Sequence, residues 1–227
     1  MRKVAIFDID GTIFRSSLLI ELTDALIADG VIPAKVSGIY ARARAKWLDR
    51  EGSYEDYIDA VVEAFQGQIK GLPSAPFMRA ADRTVAAMGK RVYRYTRDLI
   101  RDLHDRGYFL LAVSNSPKII LDPFCAGLGF DKVYGRIYEV GKGGRFTGKT
   151  EYLDLISDKA KILKRAVKKE GLTLKGSVGV GDSEADIPFL KLVEKPICFN
   201  PNSKLLAAAR RRGWNVVVER KDVVYQL

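Results

Sequence analysis

Val4-Ala5-Ile6-Phe7-Asp8-Ile9-Asp10-Gly11-Thr12 is the stretch on which the reading of this chain turns. An apolar run closes in two carboxylates one residue apart, followed by a glycine. The run predicts a buried strand over residues 3–9. It does not explain the acids, because charge at a strand end is costly unless something uses it. Two readings stand at this point. One is a solvated strand end with an Asp-Gly turn. The other is a cation site at the mouth of a parallel sheet, where a metal relieves the repulsion between the two carboxylates.

Composition narrows the classes around that stretch. The chain has 227 residues, 47% of them hydrophobic, enough for one large domain or a core plus a smaller module. Met1-Arg2-Lys3 is basic, but Asp8 and Asp10 interrupt the apolar run at once, so no signal peptide is expected. No apolar segment has transmembrane length. Cys125 and Cys198 lie far apart among apolar neighbours and are expected to be buried free thiols. A cytoplasmic protein fits these features. The formal charge of +10 favours an anionic partner, whether phosphorylated metabolite, nucleic acid or lipid headgroup. His104 is the only histidine and falls at a predicted helix end, which argues against histidine triads and histidine-rich zinc sites.

Working outward from the opening run, no strand pattern occurs between about residues 16 and 95. Leu18, Leu19, Leu22, Leu26 and Ile27 recur at helical spacing up to Gly30. Further helices are predicted over Ile39–Leu48, Tyr54–Phe65 and roughly 77–88. Strands and helices then alternate: a helix at 97–105, a strand at 108–113, a helix at 118–127 and a short strand at 133–134. A hairpin follows from 136–140 and 145–148, then a helix at 157–170 and a strand at 177–180. The last strands, 196–199 and 214–218, flank a helix at 202–212. The expected fold is α/β, a Rossmann-like open parallel sheet core (1–15 and 91–227) with an inserted all-helical cap domain (16–90).

Asp8 and Asp10, Ser114 and Asn115, and Asp182 and Asp186 each follow an apolar strand directly. In an open parallel sheet such strand ends gather at one edge, where ligands bind. Hard oxygen donors without histidine suggest Mg²⁺. Lys159 opens a helix and can set a point charge beside the same edge. A carboxylate nucleophile, a metal, a hydroxyl and a lysine are the parts that phosphoryl transfer requires.

These pieces resemble the haloacid-dehalogenase superfamily, and within it the phosphoserine-phosphatase-like branch. The resemblance rests on Asp8-Ile9-Asp10-Gly11-Thr12, Val113-Ser114-Asn115-Ser116, Lys159 after the hairpin, and Gly181-Asp182-Ser183-Glu184-Ala185-Asp186-Ile187-Pro188-Phe189-Leu190, in this order and spacing. Phe146-Thr147-Gly148 and Phe199-Asn200-Pro201-Asn202 also look like this branch, and the helical insertion looks like its cap. The resemblance implies that Asp8 attacks phosphorus and forms an aspartyl-phosphate. It implies that Asp10 protonates the leaving group and then activates water. Ser114 would hydrogen-bond a phosphoryl oxygen, and Lys159 would hold nucleophile and phosphate together. Asp182 would bind Mg²⁺ with Asp8 and the Asp10 carbonyl, and Asp186 would support that site directly, through water or through Lys159.

Two departures weaken a phosphoserine assignment. Arg15-Ser16-Ser17 stands where the phosphoserine enzymes carry a cap glutamate, and Asn115-Ser116 replaces their Gly-Gly pair. Beside Ser114, an ordinary turn made by Asn115-Ser116-Pro117 is the plainer reading. Arg42 and Lys46 share a helix face, with Arg50 one turn on, and are candidates for a second anionic group of the substrate; solvated surface is the plainer reading. Asn202 is expected to cap a helix and Glu184 to be a solvated helix-start carboxylate. The expected function is a Mg²⁺-dependent hydrolase of a small phosphorylated metabolite. A phosphotransferase using the same aspartyl-phosphate is the alternative, and a nucleic-acid-binding or end-processing protein a more distant one, lacking any aromatic-basic signature. No membrane partner is expected, and monomer and homodimer stay open.

Overall fold

A computed structural model describes residues 1–227. Its eight strands are β1 (Lys3–Phe7), β2 (Phe109–Pro117), β3 (Lys132–Val140), β4 (Phe146–Glu151), β5 (Thr173–Gly181), β6 (Lys195–Phe199), β7 (Asn215–Arg220) and β8 (Val223–Gln226). They form one sheet in the order β4-β3-β2-β1-β5-β6-β7-β8. The opening run therefore lies at the centre, parallel to β2 on one side and β5 on the other. Its residues alternate between two buried layers, Ala5 and Phe7 on one face and Val4 and Ile6 on the other. This is why the run is continuously apolar: a central parallel strand is covered on both faces.

The interior pairings are parallel, as the alternation of strands and helices predicts, and the two edges are antiparallel. The predicted short strand at 133–134 and the first hairpin arm are a single strand, β3. β8 was not predicted. It returns on β7 through a turn in which Lys221 has φ 54°, a conformation that Lys-Asp does not advertise as Asn-Gly would. β1 stops at Phe7 rather than residue 9, because Thr12, Ile13 and Phe14 all donate to the Ile9 carbonyl and fold the chain into a tight loop.

Four helices fill the insertion after that loop: α1 (Leu18–Ala28), α2 (Ser37–Leu48), α3 (Tyr54–Ile69) and α4 (Ser74–Met88). α5 (Arg94–Asp105) and α6 (Lys118–Ala126) follow on either side of β2. The predicted helix at 157–170 is α8 (Lys159–Lys169), capped by Asp158, which accepts from the amides of Ala160 and Lys161; the short helix before it, α7 (Leu153–Ile156), was not predicted. α9 (Ile187–Leu190) and α10 (Ser203–Arg212) complete the chain, and Asn202 caps α10 through the Leu205 amide as expected. Both cysteines are buried and free. No helix is long and apolar enough to cross a membrane.

The larger hydrophobic cluster, 36 buried residues, joins one face of the sheet to the inserted helices. Phe65 of α3 and Phe77 of α4 meet edge-on, and Phe77 meets Phe146 of β4 in the same way at 4.8 Å between ring centroids. The inserted helices and the sheet thus share one apolar interior. Phe77→Ala is expected to lower the unfolding free energy by roughly 3–5 kcal/mol. Far-ultraviolet circular dichroism and tryptophan fluorescence should still report one transition; a separate early melting of the inserted helices would contradict a shared interior.

Candidate active site

The acidic strand ends meet where β1 and β5 terminate. Carboxylate oxygens of Asp8, Asp182 and Asp186 lie within 4.8 Å of one another. Asp8 and Asp186 are buried, and Asp182 is half-buried. Two glycines let the chains come this close. A Cβ on Gly11, which has φ +78°, would sit 2.2 Å from Asp182 Oδ2. One on Gly181 would sit 2.5 Å from Asp186.

Lys159 enters this cluster from the first turn of α8, and only 7% of its surface is exposed. Its Nζ donates to Asp8 Oδ1 at 2.6 Å and to Asp186 Oδ1 at 2.5 Å. The other Asp186 oxygen accepts from the amides of Asp182 and Ser183 at 3.0 and 3.1 Å. Both oxygens of Asp186 are therefore engaged within the protein. It stands behind Asp8 and Asp182, orienting Lys159 and the start of the loop after β5.

Burial is the main cause that pushes the Asp8 carboxyl up to about 7; Lys159 opposes it, and Asp186 and Asp10 add to it. Burial also raises Asp182 well above the carboxylate range, with further contributions from Asp8 and Asp186. Burial opposes the charge on Lys159, but Asp186 and Asp8 outweigh it and hold the ammonium above its ordinary range.

Asp10 points elsewhere. Its Oδ1 accepts from the Leu18 amide at 2.6 Å, the first residue of α1. Ser17, in the N-cap position, makes no side-chain cap, so Asp10 serves that helix end from eight residues upstream. Its Oδ2 accepts from the hydroxyls of Ser114 at 2.5 Å and Ser116 at 2.8 Å. The Ser116 amide donates in turn to Ser114 Oγ at 2.8 Å. Ser116, expected only as part of a turn, thus also holds Asp10. The signal was its position two residues after Ser114 on an extended chain, which sets both hydroxyls on one side.

Other candidates are placed less centrally. Asn115 is exposed between the two buried serines. Arg42 and Lys46 are exposed on α2 and make no ion pair or hydrogen bond with the aspartates. Glu184 is not simply solvated: it pairs with Lys204 and accepts from Asn202. Tyr54, at the start of α3, reaches the site from above. Its hydroxyl lies beside Ser17, and burial together with Asp10 and Asp182 raises its pKa.

A divalent oxygen-liganded cation fits this donor set. Three carboxylates against one ammonium leave two formal negative charges in a buried space. Asp8 and Asp182 each present oxygen to the same spot, approached at 3.3 and 3.4 Å only by the Thr12 hydroxyl. The Asp10 carbonyl accepts no hydrogen bond. These are hard donors of the kind Mg²⁺ takes.

Comparison with known proteins agrees with this architecture. The family model for haloacid dehalogenase-like hydrolases matches residues 5–191. The "Inhibition of morphological differentiation protein" of Streptomyces azureus is 26% identical over 223 residues, covering 95% of this chain and 78% of that protein. The histidinol-phosphatase of Neisseria meningitidis is 26% identical over 234 residues, covering 96% and 99%. Among solved structures, a Bordetella pertussis protein of unknown function superimposes with TM-score 0.74 at 22% identity, covering 95% and 98% of the two chains. A substrate-bound phosphoserine phosphatase superimposes with TM-score 0.63 at 22% identity, covering 98% and 95%. The chain belongs to the haloacid dehalogenase-like hydrolase family. Its fold is that of the phosphoserine-phosphatase-like branch, with helices inserted after the first strand.

The raised carboxyls fix the sign of a pH effect. A folded-state pKa above the unfolded value means that the folded protein keeps its proton longer, so stability is lost as pH rises from the unfolded value near 3.8 through about 7. Lys159 stays charged across that window in both states and adds no slope there. In EDTA the melting temperature should fall between about pH 5 and pH 8, and added Mg²⁺ should restore more at the upper end. A flat metal-free profile would refute the buried, like-charged cluster.

Proposed function

We propose that this protein is a Mg²⁺-dependent phosphomonoester hydrolase of a small phosphorylated metabolite, working through an aspartyl-phosphate on Asp8. The observation that carries this reading is the division between the paired aspartates. Asp8 faces Lys159, 2.6 Å away, in the charged cluster. Asp10 faces two serine hydroxyls and a helix amide. Two carboxyls in such different surroundings are suited to different jobs.

In the first step an Asp8 oxygen forms a bond to phosphorus as the ester P–O bond breaks, and the departing oxygen takes a proton from Asp10. In the second, Asp10 takes a proton from water, the water oxygen bonds to phosphorus, and the acyl-phosphate bond to Asp8 breaks to release orthophosphate. Lys159 keeps Asp8 oriented and offsets the charge of the phosphoryl oxygens. Ser114 leaves Asp10 to bind a phosphoryl oxygen, and Ser116 then remains on Asp10. Asp8, Asp182 and the Asp10 carbonyl are the groups to hold Mg²⁺, which supplies Lewis-acid neutralisation of the phosphoryl group. Helices α1 to α3 limit access of bulk water. Asn115, exposed beside Ser114, is available to the substrate. The phosphatase names of several relatives support the reaction class.

Asp8→Asn should reduce orthophosphate release from every substrate by at least about a thousandfold while leaving the far-ultraviolet circular dichroism spectrum that of the folded wild type. Normal turnover would remove Asp8 as nucleophile. The assay is phosphate release across a panel of phosphorylated metabolites. Ser116→Ala should lower kcat/KM for alkyl phosphates, whose leaving oxygen needs a proton, by about ten- to a hundredfold. It should leave kcat/KM for p-nitrophenyl phosphate, whose leaving group needs none, close to wild type, because kcat/KM does not include hydrolysis of the aspartyl-phosphate. Equal losses of kcat/KM on both would show that Ser116 does not act through the proton donor.

A further inference from the structure

One buried side-chain polar atom in the whole chain has no hydrogen-bond partner: Arg136 Nε. Folded proteins rarely leave such a donor bare, because the loss is about 1–3 kcal/mol and greater for charged groups. Arg136 also takes part in none of the ion pairs of the protein. A cation partly withdrawn from water and without an anion calls for a ligand.

Its position says what the ligand is attached to. Arg136 lies on β3 opposite Pro117, the residue after Ser116. Ser116 holds Asp10 at 2.8 Å, so Arg136 stands one strand spacing, about 4.8 Å, from the end of the segment that handles the proton donor. Side chains alternate along β3. Gly135 faces α6, where a Cβ would meet Leu121 at 2.4 Å. Arg136 and Tyr138 share the other face. There Tyr138 packs on Phe65 of α3, with 5.5 Å between ring centroids. The Tyr138 hydroxyl neighbours both Arg136 and Gln66. This face of the hairpin therefore looks towards the C-terminal half of α3, about 18 Å along that helix from Tyr54, which overlooks Asp10 and Asp182 at its start.

The geometry points to Arg136 as the anchor for a second oxyanion on the substrate, a carboxylate or a second phosphate carried several atoms beyond the scissile ester. Tyr138 and Gln66 supply further polar groups beside it. An arginine is suited to this because its fork matches either oxyanion with two parallel hydrogen bonds. Arg42 and Lys46 are weaker anchors, since both are exposed on α2 and an anion there stays in screened solvent. The inference rests on the phosphatase reading and names the class of substrate it selects.

The test is steady-state kinetics of the full-length wild type, Arg136→Met and Arg136→Lys with Mg²⁺. Substrates are p-nitrophenyl phosphate, neutral alkyl phosphates, and chain-matched alkyl phosphates ending in a carboxylate or a second phosphate. Wild type should favour one of the two anionic series over the neutral one by about 10- to 100-fold in kcat/KM. The series favoured identifies the oxyanion. Arg136→Met should erase that preference through KM and leave p-nitrophenyl phosphate within about twofold of wild type. Arg136→Lys, which keeps the charge, should retain part of the preference and guards against a folding defect in the methionine variant. Three results would each overturn the inference: no preference in wild type, a preference that survives Arg136→Met, or equal loss on p-nitrophenyl phosphate in both variants. Absence of phosphate release from every substrate, p-nitrophenyl phosphate included, would instead remove the phosphatase reading itself.

Discussion

A buried ammonium held between two buried carboxylates is the constraint around which this site is built. Lys159 bridges Asp8 and Asp186 at 2.6 and 2.5 Å with almost no access to water. Burying such charges is costly, and the cost is offset only when every partner is in place. Local features of the fold serve that requirement. Asp158 breaks the helix before Lys159 and caps α8, so the lysine begins a helix instead of lying within one. Asp186 spends its second oxygen on the amides of Asp182 and Ser183, which fixes the loop after β5. Gly11 and Gly181 remove the side chains that would force the carboxylates apart.

The second aspartate of the opening pair links this edge to the inserted helices. Asp10 occupies the N-terminus of α1, where free amides and the helix dipole favour a carboxylate. One group thus caps the helix and faces the serines at the end of β2. Moving α1 away from the sheet would leave the Leu18 amide and Asp10 Oδ1 unpaired, so the start of the insertion is tied to the sheet edge.

The sequence made the parallel sheet and the acidic edge legible because each depends on local pattern. Continuous apolar runs mark strands buried on both faces, and the residues immediately after them fall at one edge without further information. Ser116 and the capping role of Asp10 were hidden for the opposite reason: each acts on a group from another part of the fold. Leu18 returns to Asp10 only because the loop at Ile9–Phe14 reverses the chain, and no periodicity encodes that. That Lys159 opens its helix was legible, since Asp158 is an N-cap residue placed directly before it. The hairpin face carrying Arg136 was not, because an arginine in a strand reads as solvent-facing until its neighbours are known.

Charge orders events at the site. The protein as a whole carries a formal +10, a field that draws phosphorylated molecules inward. The cluster they must reach has the opposite sign, since Lys159 is already taken up by Asp8 and Asp186 and two formal negative charges remain. A phosphate dianion is attracted at long range and repelled at contact until that excess is matched. Burial, with Asp186 and Asp10 adding to it, raises the Asp8 carboxyl towards neutrality, where it is a poor nucleophile. In the proposed reaction, matching the charge therefore does two things at once: it admits the phosphate and restores the ionised carboxylate that is to attack it. Recognition of the remainder of the substrate then falls to groups outside the cluster, which is why a specificity residue is to be sought on the hairpin and α3 and not among the aspartates.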